Sequence, residues 1–510
     1  MEDKPVRICV PVCERNLTAM KQAAVRASQI GDLVELRLDY LETDELRKSR
    51  PDITELLTEL RETIVTFRPA EEGGRQPLER ADRIVFWLFG KPKNAEFFDI
   101  EAELAVELAA DEFSSQYIDW SRVICSYHDF VGVPADLSQV YERIAGTPAR
   151  ILKIAVLADD VTDCIPIFRL LEQARKEGRE MIAIAMGMPG IVTRILGPSR
   201  GAFLTYGALK QDSVSGPGQP TVSELEDLFH IRDIDRATEI IGLLGRPVSH
   251  SISPHTHNAA FEASGVNAVY IPFEVQNVAS FLRRMVHSAT REVDWNIRGL
   301  SVTAPHKSAV IDLLTWIEPV AQEMGAVNTI LVEGNQLYGY NTDGAALVQP
   351  LLDKVGALRD TRCAVVGAGG AARAALWGLR REGAIATVFA RDVNKARPVA
   401  EKFGADVKPL AGSLFNEFDL VINTTPLGTR GALVEETVAL ASQLRGARLA
   451  YDLVYNPSET RFLREAREAG CETLGGIAML ISQAAQQFKL WTGIDAPRDV
   501  MRAAAERALV

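Results

Sequence analysis

No run of eighteen apolar residues occurs in the 510-residue sequence, so no membrane-spanning helix is expected. Nor does any pair of its six cysteines stand as Cys-x-x-Cys. Cys9, Cys13, Cys125, Cys164, Cys363 and Cys471 are scattered, which argues against a zinc knuckle or a disulfide framework and for free thiols in a reducing compartment. The opening stretch, MEDKPVRICVPVCERN, carries acids early and lacks an apolar core segment; no signal peptide is read there, and a cytoplasmic protein is expected. Positive charge is not in excess either. With 56 Lys and Arg against 68 Asp and Glu, the formal charge is -12, which disfavours broad nucleic-acid binding. Any pocket for an anionic substrate must then be built from chosen arginines and lysines. His250, His255 and His257 crowd the string HSISPHTH, but no carboxylate completes a ligand set and a proline breaks the helical spacing, so no metal is expected.

What is present is a globular composition, 47% hydrophobic and 24% charged, in a chain long enough for two to four domains. Before residue 210, eight β-branched runs alternate with helical stretches: VRICVPV, LVELRLDY, ETIVTFRP, EFFDIEAEL, RVICSYHDF, ARILKIAVL, REMIAIAMG and AFLTYGAL. That count and length predict an eight-stranded parallel β/α barrel. IVFWLFG at 84–90 has strand propensity too, but it falls where the helix between the third and fourth strands belongs and is read as helix. Barrels place chemistry at the carboxyl ends of their strands, and Glu35, Arg37, Arg68, Glu101, His128 and Lys153 cluster there. Lys153 can attack a ketone only as the free amine; burial and cationic neighbours such as Arg37 and Arg68 are expected to penalise its ammonium. The same arginines would hold an anionic substrate. His128, one strand away, suits proton abstraction and return.

Five strings in order, ELRLD, FRPAEEGG, SYHDF, LKIA and SGPGQ, make residues 1–228 resemble the type I 3-dehydroquinate dehydratases. The resemblance implies that Lys153 forms an imine with the substrate ketone, that His128 removes the neighbouring proton, and that Glu72 orients His128. It also implies substrate contacts from Glu35, Arg37, Arg68, Arg194, Ser215 and Gln219, the last two on a Gly/Pro loop able to close over the site. Thr221 and Glu224 form a candidate capping box after that loop. HIRDIDRATE at 230–239 reads as a charged, exposed connector, so the linker is set at 229–239.

A second alternating β/α region follows over 240–343. TRCAVVGAGGAARAALWGL then reads as strand, glycine turn and alanine-rich helix, the opening unit of a Rossmann-type dinucleotide domain over 344–475; the residues from 476 to 510 read as helices returning to the preceding lobe. Two dozen residues after the glycines, Arg391 stands where an NAD enzyme commonly has an acid, which favours NADP through the ribose 2'-phosphate. Lys307 in SVTAPHK and Asp343 in GYNTDG are candidates for proton transfer to a reduced ketone.

The strings GRPVSHSISP, SVTAPHK, GAVNT, GYNTDG, NTTPLG, DLVYNP and MLISQAAQQFKLWTG appear in the order seen in shikimate dehydrogenases, and this resemblance covers 240–510. It implies catalysis by Lys307 and Asp343, with Ser249, Ser251, Thr303, Asn328, Tyr455 and Gln483 around the substrate. On the cofactor side it implies Gly367, Gly369, Gly370, Ala371, Arg391, Lys395, Gly476 and Met479, with NADP(H) as cofactor. Ser301 replaces the asparagine of bacterial stand-alone members, a plant-like pattern that agrees with the dehydratase-then-dehydrogenase order of plant bifunctional enzymes. Ala390 and Asp392 replace the usual Asn and Thr beside Arg391, and an aspartate there is expected to repel the 2'-phosphate. The resemblance leaves as rivals a quinate dehydrogenase in the second half, against which Ser251 and Thr342 stand, and an inactive sensor of quinate-like ligands, against which the four intact catalytic residues stand. For the barrel read without the resemblance, the alternative is an aldolase-like enzyme. The partners expected are small molecules, 3-dehydroquinate, 3-dehydroshikimate and shikimate, with no nucleic acid and no membrane.

Overall fold

The computed structural model describes residues 5–42, 45, 50–60, 62–76 and 79–509. The chain divides into two compact units, residues 1–240 with 244–249 and 271–296, and residues 241–243 and 250–270 with 297–510.

Eight parallel strands form the first sheet: β1 Ile8–Val12, β2 Leu33–Arg37, β3 Thr63–Thr66, β4 Phe97–Glu101, β5 Val123–Asp129, β6 Ile151–Leu157, β7 Glu180–Met186 and β8 Thr205–Tyr206. Their order is β7-β6-β5-β4-β3-β2-β1-β8, and a bridge from Met181 to Ala202 all but closes the ring. Runs such as ILKIAVL are buried at nearly every position, as parallel strands with helices outside and a packed interior require. Cys9, Leu33, Ile64, Phe97, Ile124, Ile151 and Ile182 fill the barrel, leaving one polar end. Residues 84–90 are helical as expected: Arg80–Val85 runs on into a π turn, Phe86–Gly90, which buries Phe86 and Trp87. Thr221 and Glu224 bond each other's backbone amides reciprocally, the geometry of a capping box.

The connector departs from the exposed tether expected of its charge. Ile231 and Ile234 are buried, and Arg232 donates to the Val6 carbonyl and pairs with Asp32 and Glu226, because a segment with two large apolar residues gains more by packing than by solvation.

The second sheet has β9 Glu239–Gly245, β10 Ala268–Glu274, β11 Asn296–Val302, β12 Trp316–Ile317, β13 Thr329–Glu333 and β14 Gln336–Tyr340, in the order β10-β9-β11-β13-β14-β12. The two-residue turn from β13 to β14 contains Gly334 at φ +58°, the sign that a tight hairpin turn demands. The helix Ile477–Thr492 returns to this sheet, with Gln487 bonding the Asn328 carbonyl and Trp491 the Ile330 carbonyl.

The third sheet contains β15 Arg362–Val366, β16 Ile385–Ala390, β17 Asp406–Pro409, β18 Leu420–Asn423, β19 Leu449–Asp452 and β20 Glu472–Leu474. All pairs are parallel, and the order β17-β16-β15-β18-β19-β20 is the doubly wound 3-2-1-4-5-6 arrangement. Its switch point lies between β15 and β18, where such folds take a ligand.

Candidate functional site

In the barrel, Lys153 on β6 and Ser126 on β5 are register partners, which sets His128 two residues further toward the mouth. One recess there is lined by Lys153, His128, Arg194, Tyr206, Glu35 and Ser215, together with Arg37 and Arg68. Ser215 donates to the Gln219 side chain at 2.9 Å, which folds their loop on itself.

The cationic surroundings expected of Lys153 are only half of what is there. Its Nζ lies 2.7 Å from the Asp99 carboxylate, 2.9 Å from the Tyr206 hydroxyl and 4.0 Å from Glu35. Asp99 also takes Arg68 at 3.1 Å and the Ser126 hydroxyl at 2.6 Å. Buried charges of one sign draw in the other. Burial alone would raise the Asp99 carboxyl, but Lys153 and Arg68 outweigh it and hold that group far below the ordinary carboxylate range.

Burial, then Arg68 and Lys153, push His128 well below its ordinary 6.5, so the imidazole is neutral and able to accept a proton. Glu72 Oε2 stands 3.5 Å from His128 Nδ1, long for a hydrogen bond, and burial raises Glu72 to about 8. Behind them, Arg83 pairs with the buried Glu101 at 2.9 Å.

The three arginines expected to hold an anion are not equivalent. Arg37 gives its fork to the buried Asp39 at 2.9 and 2.7 Å, and Arg68 is engaged by Asp99. Arg194 is 4% exposed, and among the described residues no carboxylate lies within ion-pair distance of it. Burial lowers Arg194 to about 10, which leaves it charged at neutral pH and able to receive a carboxylate.

In the second unit, Lys307 Nζ meets Asp343 Oδ2 at 2.6 Å. Asn328 donates to Asp343 Oδ1 at 2.8 Å and to the Thr342 hydroxyl at 2.9 Å, which fixes the face that Asp343 turns to Lys307. Ser301 bonds Gln487 at 3.0 Å. Ser251 bonds Ser253, Ser249 is exposed, and Thr303, Tyr455 and Gln483 are partly buried. No described hydrogen bond joins these last five expected contacts to the Lys307 cluster.

At the cofactor turn, Gly367 has φ +117° and a Cβ there would lie 2.5 Å from Thr424 Oγ1, whereas Gly369 and Gly370 have open space beside them. The helix Gly370–Arg381 begins there and turns its first amides outward past Ala371. Gly476 is buried and Met479 half-buried at the start of Ile477–Thr492. Arg391 and Lys395 are exposed. The repulsion expected from Asp392 is redirected: its carboxylate caps the helix Val393–Lys402, accepting from the Asn394 and Lys395 amides at 3.1 Å. Asp392 also stands 3.8 Å from the Lys395 ammonium. A glycine cradle, a free helix start and the exposed Arg391 and Lys395 fit a dinucleotide bearing a 2'-phosphate.

Asp99, Asp39, Tyr206 and Gln487 were not singled out from the sequence. The one signal available was an aspartate inside the otherwise apolar strand FFDIE, which a parallel barrel tolerates only toward a polar mouth or a paired cation.

A barrel with a buried lysine and neutral histidine, followed by a doubly wound dinucleotide domain with a Lys/Asp pair, defines a lyase joined to an oxidoreductase. Residues 8–236 match the family described as type I 3-dehydroquinase, 243–330 the shikimate dehydrogenase substrate binding domain and 476–506 the shikimate 5'-dehydrogenase C-terminal domain. The bifunctional 3-dehydroquinate dehydratase/shikimate dehydrogenase of Arabidopsis thaliana, chloroplastic, is 33% identical over 97% of this chain and 83% of its own length. The NADP(+) shikimate dehydrogenase of Methanocaldococcus jannaschii is 38% identical over 53% of this chain and 96% of its own. A crystal structure of a shikimate dehydrogenase in complex with NADP+ superposes with a TM-score of 0.50 at 35% identity, covering 54% of this chain and 98% of that one. The chain belongs to the family of bifunctional 3-dehydroquinate dehydratase/shikimate dehydrogenases.

Proposed function

We propose that this chain dehydrates 3-dehydroquinate to 3-dehydroshikimate in the barrel and reduces 3-dehydroshikimate to shikimate in the second half. The working parts are the barrel, 1–228, the lobe 240–343, the dinucleotide lobe 344–475 and the helices 476–510. The observation that carries the reading is that one chain holds both Lys153 beside neutral His128 and Lys307 in contact with Asp343.

In the barrel, the Lys153 amine adds to the substrate ketone and expels water to form an imine, an electron sink for the adjacent carbon. Neutral His128 takes the proton from that carbon, and the β-hydroxyl leaves as water, with the same proton returned to it. Hydrolysis of the imine releases Lys153. Arg194, a buried cation with no acid partner among the described residues, takes the substrate carboxylate. In the second half, NADPH supplies the hydride when bound. Lys307, held by Asp343, gives a proton to the reduced oxygen, and Asn328 keeps Asp343 in place. Arg391 and Lys395 receive the 2'-phosphate. The six cysteines are free thiols, which supports a reducing, cytoplasmic setting. Among the described residues no helix is long and apolar enough to cross a membrane.

A coupled assay tests this: 3-dehydroquinate plus NADPH should yield shikimate, and 3-dehydroquinate alone should stop at 3-dehydroshikimate. Release of a carbon fragment, or reduction of 3-dehydroquinate to quinate as fast as formation of shikimate, would sink the assignment.

A further inference from the structure

Asp452 is fully buried and takes no part in the chemistry above. It ends β19 directly opposite Asn423, also fully buried, at the end of β18. Asp452 Oδ1 accepts from Asn423 Nδ2 at 2.9 Å and from the Val454 amide at 3.0 Å, and Oδ2 accepts from the Thr460 hydroxyl. Among the described residues no cation lies within ion-pair distance of it. Asn423 Oδ1 accepts in turn from the Thr425 amide at 2.9 Å and the Thr425 hydroxyl at 2.7 Å.

One carboxylate and one amide therefore pin two turns. The first, 424–428, lies against the glycine cradle: Thr424 bonds the Val366 carbonyl at 2.7 Å and closes the space beside Gly367. The second, 453–457, carries Tyr455 and covers Gly476, where a Cβ would fall 2.5 Å from the Leu453 carbonyl oxygen. A buried carboxylate without a cation is costly, and an asparagine would supply only one of its two acceptors, leaving the Thr460 hydroxyl without one. Such an arrangement is a poor source of stability and a good way to hold two loops in one geometry.

We propose that Asp452 and Asn423 are positioning residues of the dehydrogenase, fixing Tyr455 for substrate binding relative to the turn beside the glycine cradle. The inference rests on the reductase reading given above. Burial raises Asp452 to about 6 against the hydrogen bonds from Thr460, Val454 and Asn423, and no charged side chain contributes. A carboxyl raised above its ordinary 3.8 contributes stability that is complete below about 3.8 and lost as pH rises through about 6, so at neutral pH the charged form is held in place by these hydrogen bonds at a cost in stability.

The test is calorimetry of shikimate binding to the full chain without cofactor at pH 8, where Asp452 is charged, for wild type, Asp452→Asn, Thr460→Ser and Thr460→Val. In Asp452→Asn the Kd should be about tenfold weaker, with faster exchange of the Val454 amide. Thr460→Ser should match wild type, while Thr460→Val, which removes one bond to the carboxylate, should weaken binding about threefold or more. KM for 3-dehydroshikimate should follow Kd, with kcat changed less. Wild-type affinity in both Asp452→Asn and Thr460→Val would overturn the proposal; if Asp452→Asn does not fold, wild-type affinity in Thr460→Val suffices. A wild-type chain without NADPH-dependent reduction would overturn the functional reading instead.

Discussion

Lys153 on β6 and Asp99 on β4 meet at 2.7 Å across the intervening strand β5, and Asp99 also holds Arg68 at 3.1 Å. The nucleophile is thus one corner of a buried charge cluster. Borohydride added with 3-dehydroquinate should fix the mass of one ligand to a peptide containing Lys153; label elsewhere, or none, would rule the imine out. Asp99→Asn should destabilise the barrel by about 3–5 kcal/mol in denaturant titrations, because it takes the carboxylate from the buried Arg68 and leaves Lys153 only Glu35 at 4.0 Å.

Arg194→Gln should raise KM for 3-dehydroquinate at least thirtyfold, about 2 kcal/mol, while kcat stays within about threefold, since a carboxylate anchor far from the reacting carbon contributes uniform binding. Steady-state kinetics separate the two. A fall in kcat with KM unchanged would place Arg194 at the chemistry.

Glu72 has a folded-state pKa of about 8, above its ordinary 4.5. A raised carboxyl contributes stability that is complete below about 4.5 and is lost as pH rises through 8. His128, lowered well below 6.5, contributes in the opposite sense: its share is present above 6.5 and lost as pH falls. Scanning calorimetry of Glu72→Gln between pH 6.5 and 8, above the range in which His128 contributes a slope, should therefore show a flatter Tm than wild type. Parallel curves would mean that Glu72 does not carry the proton.

Arg391→Ala should impair use of NADPH far more than NADH, because only NADPH carries the extra phosphate. Asp392→Ala should instead cost about 1 kcal/mol of stability through the lost cap and leave the NADPH-to-NADH ratio of kcat/KM nearly unchanged. A large change in that ratio would show that Asp392 acts on the cofactor rather than on its helix.

Lys153→Ala should abolish dehydration and spare reduction of supplied 3-dehydroshikimate, and Lys307→Ala the reverse, since the two sets of catalytic groups share no residue. Separation by cutting is another matter. Residues 271–296 fold within the first unit, where Phe168 packs on Trp295 with ring centroids 6.1 Å apart and Gln276 bonds Asp159 at 2.6 Å. Fragments cut between 230 and 239 should therefore lose solubility. Size-exclusion chromatography of the fragments checks this, and two well-behaved monomers would contradict it.

Local chemistry made much of this molecule legible beforehand. Eight apolar runs at even spacing specify a parallel barrel because each strand must be buried on both faces, and the glycine turn between VVG and an alanine-rich run specifies a strand, a tight approach and a helix start. The helix at 84–90 followed from connectivity, since propensity alone was ambiguous there. Asp392 could be seen beside Arg391, but not the direction its carboxylate takes.

The sequence by itself determined which groups can do chemistry and which strands carry them, because side-chain type and apolar period are local properties. Only the tertiary structure decided how those charges pair. Asp39 with Arg37, Asp99 with both Lys153 and Arg68, and Arg194 left without an acid among the described residues are outcomes of which strand ends meet at the barrel mouth. The Asn423–Asp452 bond likewise exists only because β18 and β19 lie side by side in register, 29 residues apart in the chain. Electrostatic energies depend on distance and burial, and neither can be read from a string of residues.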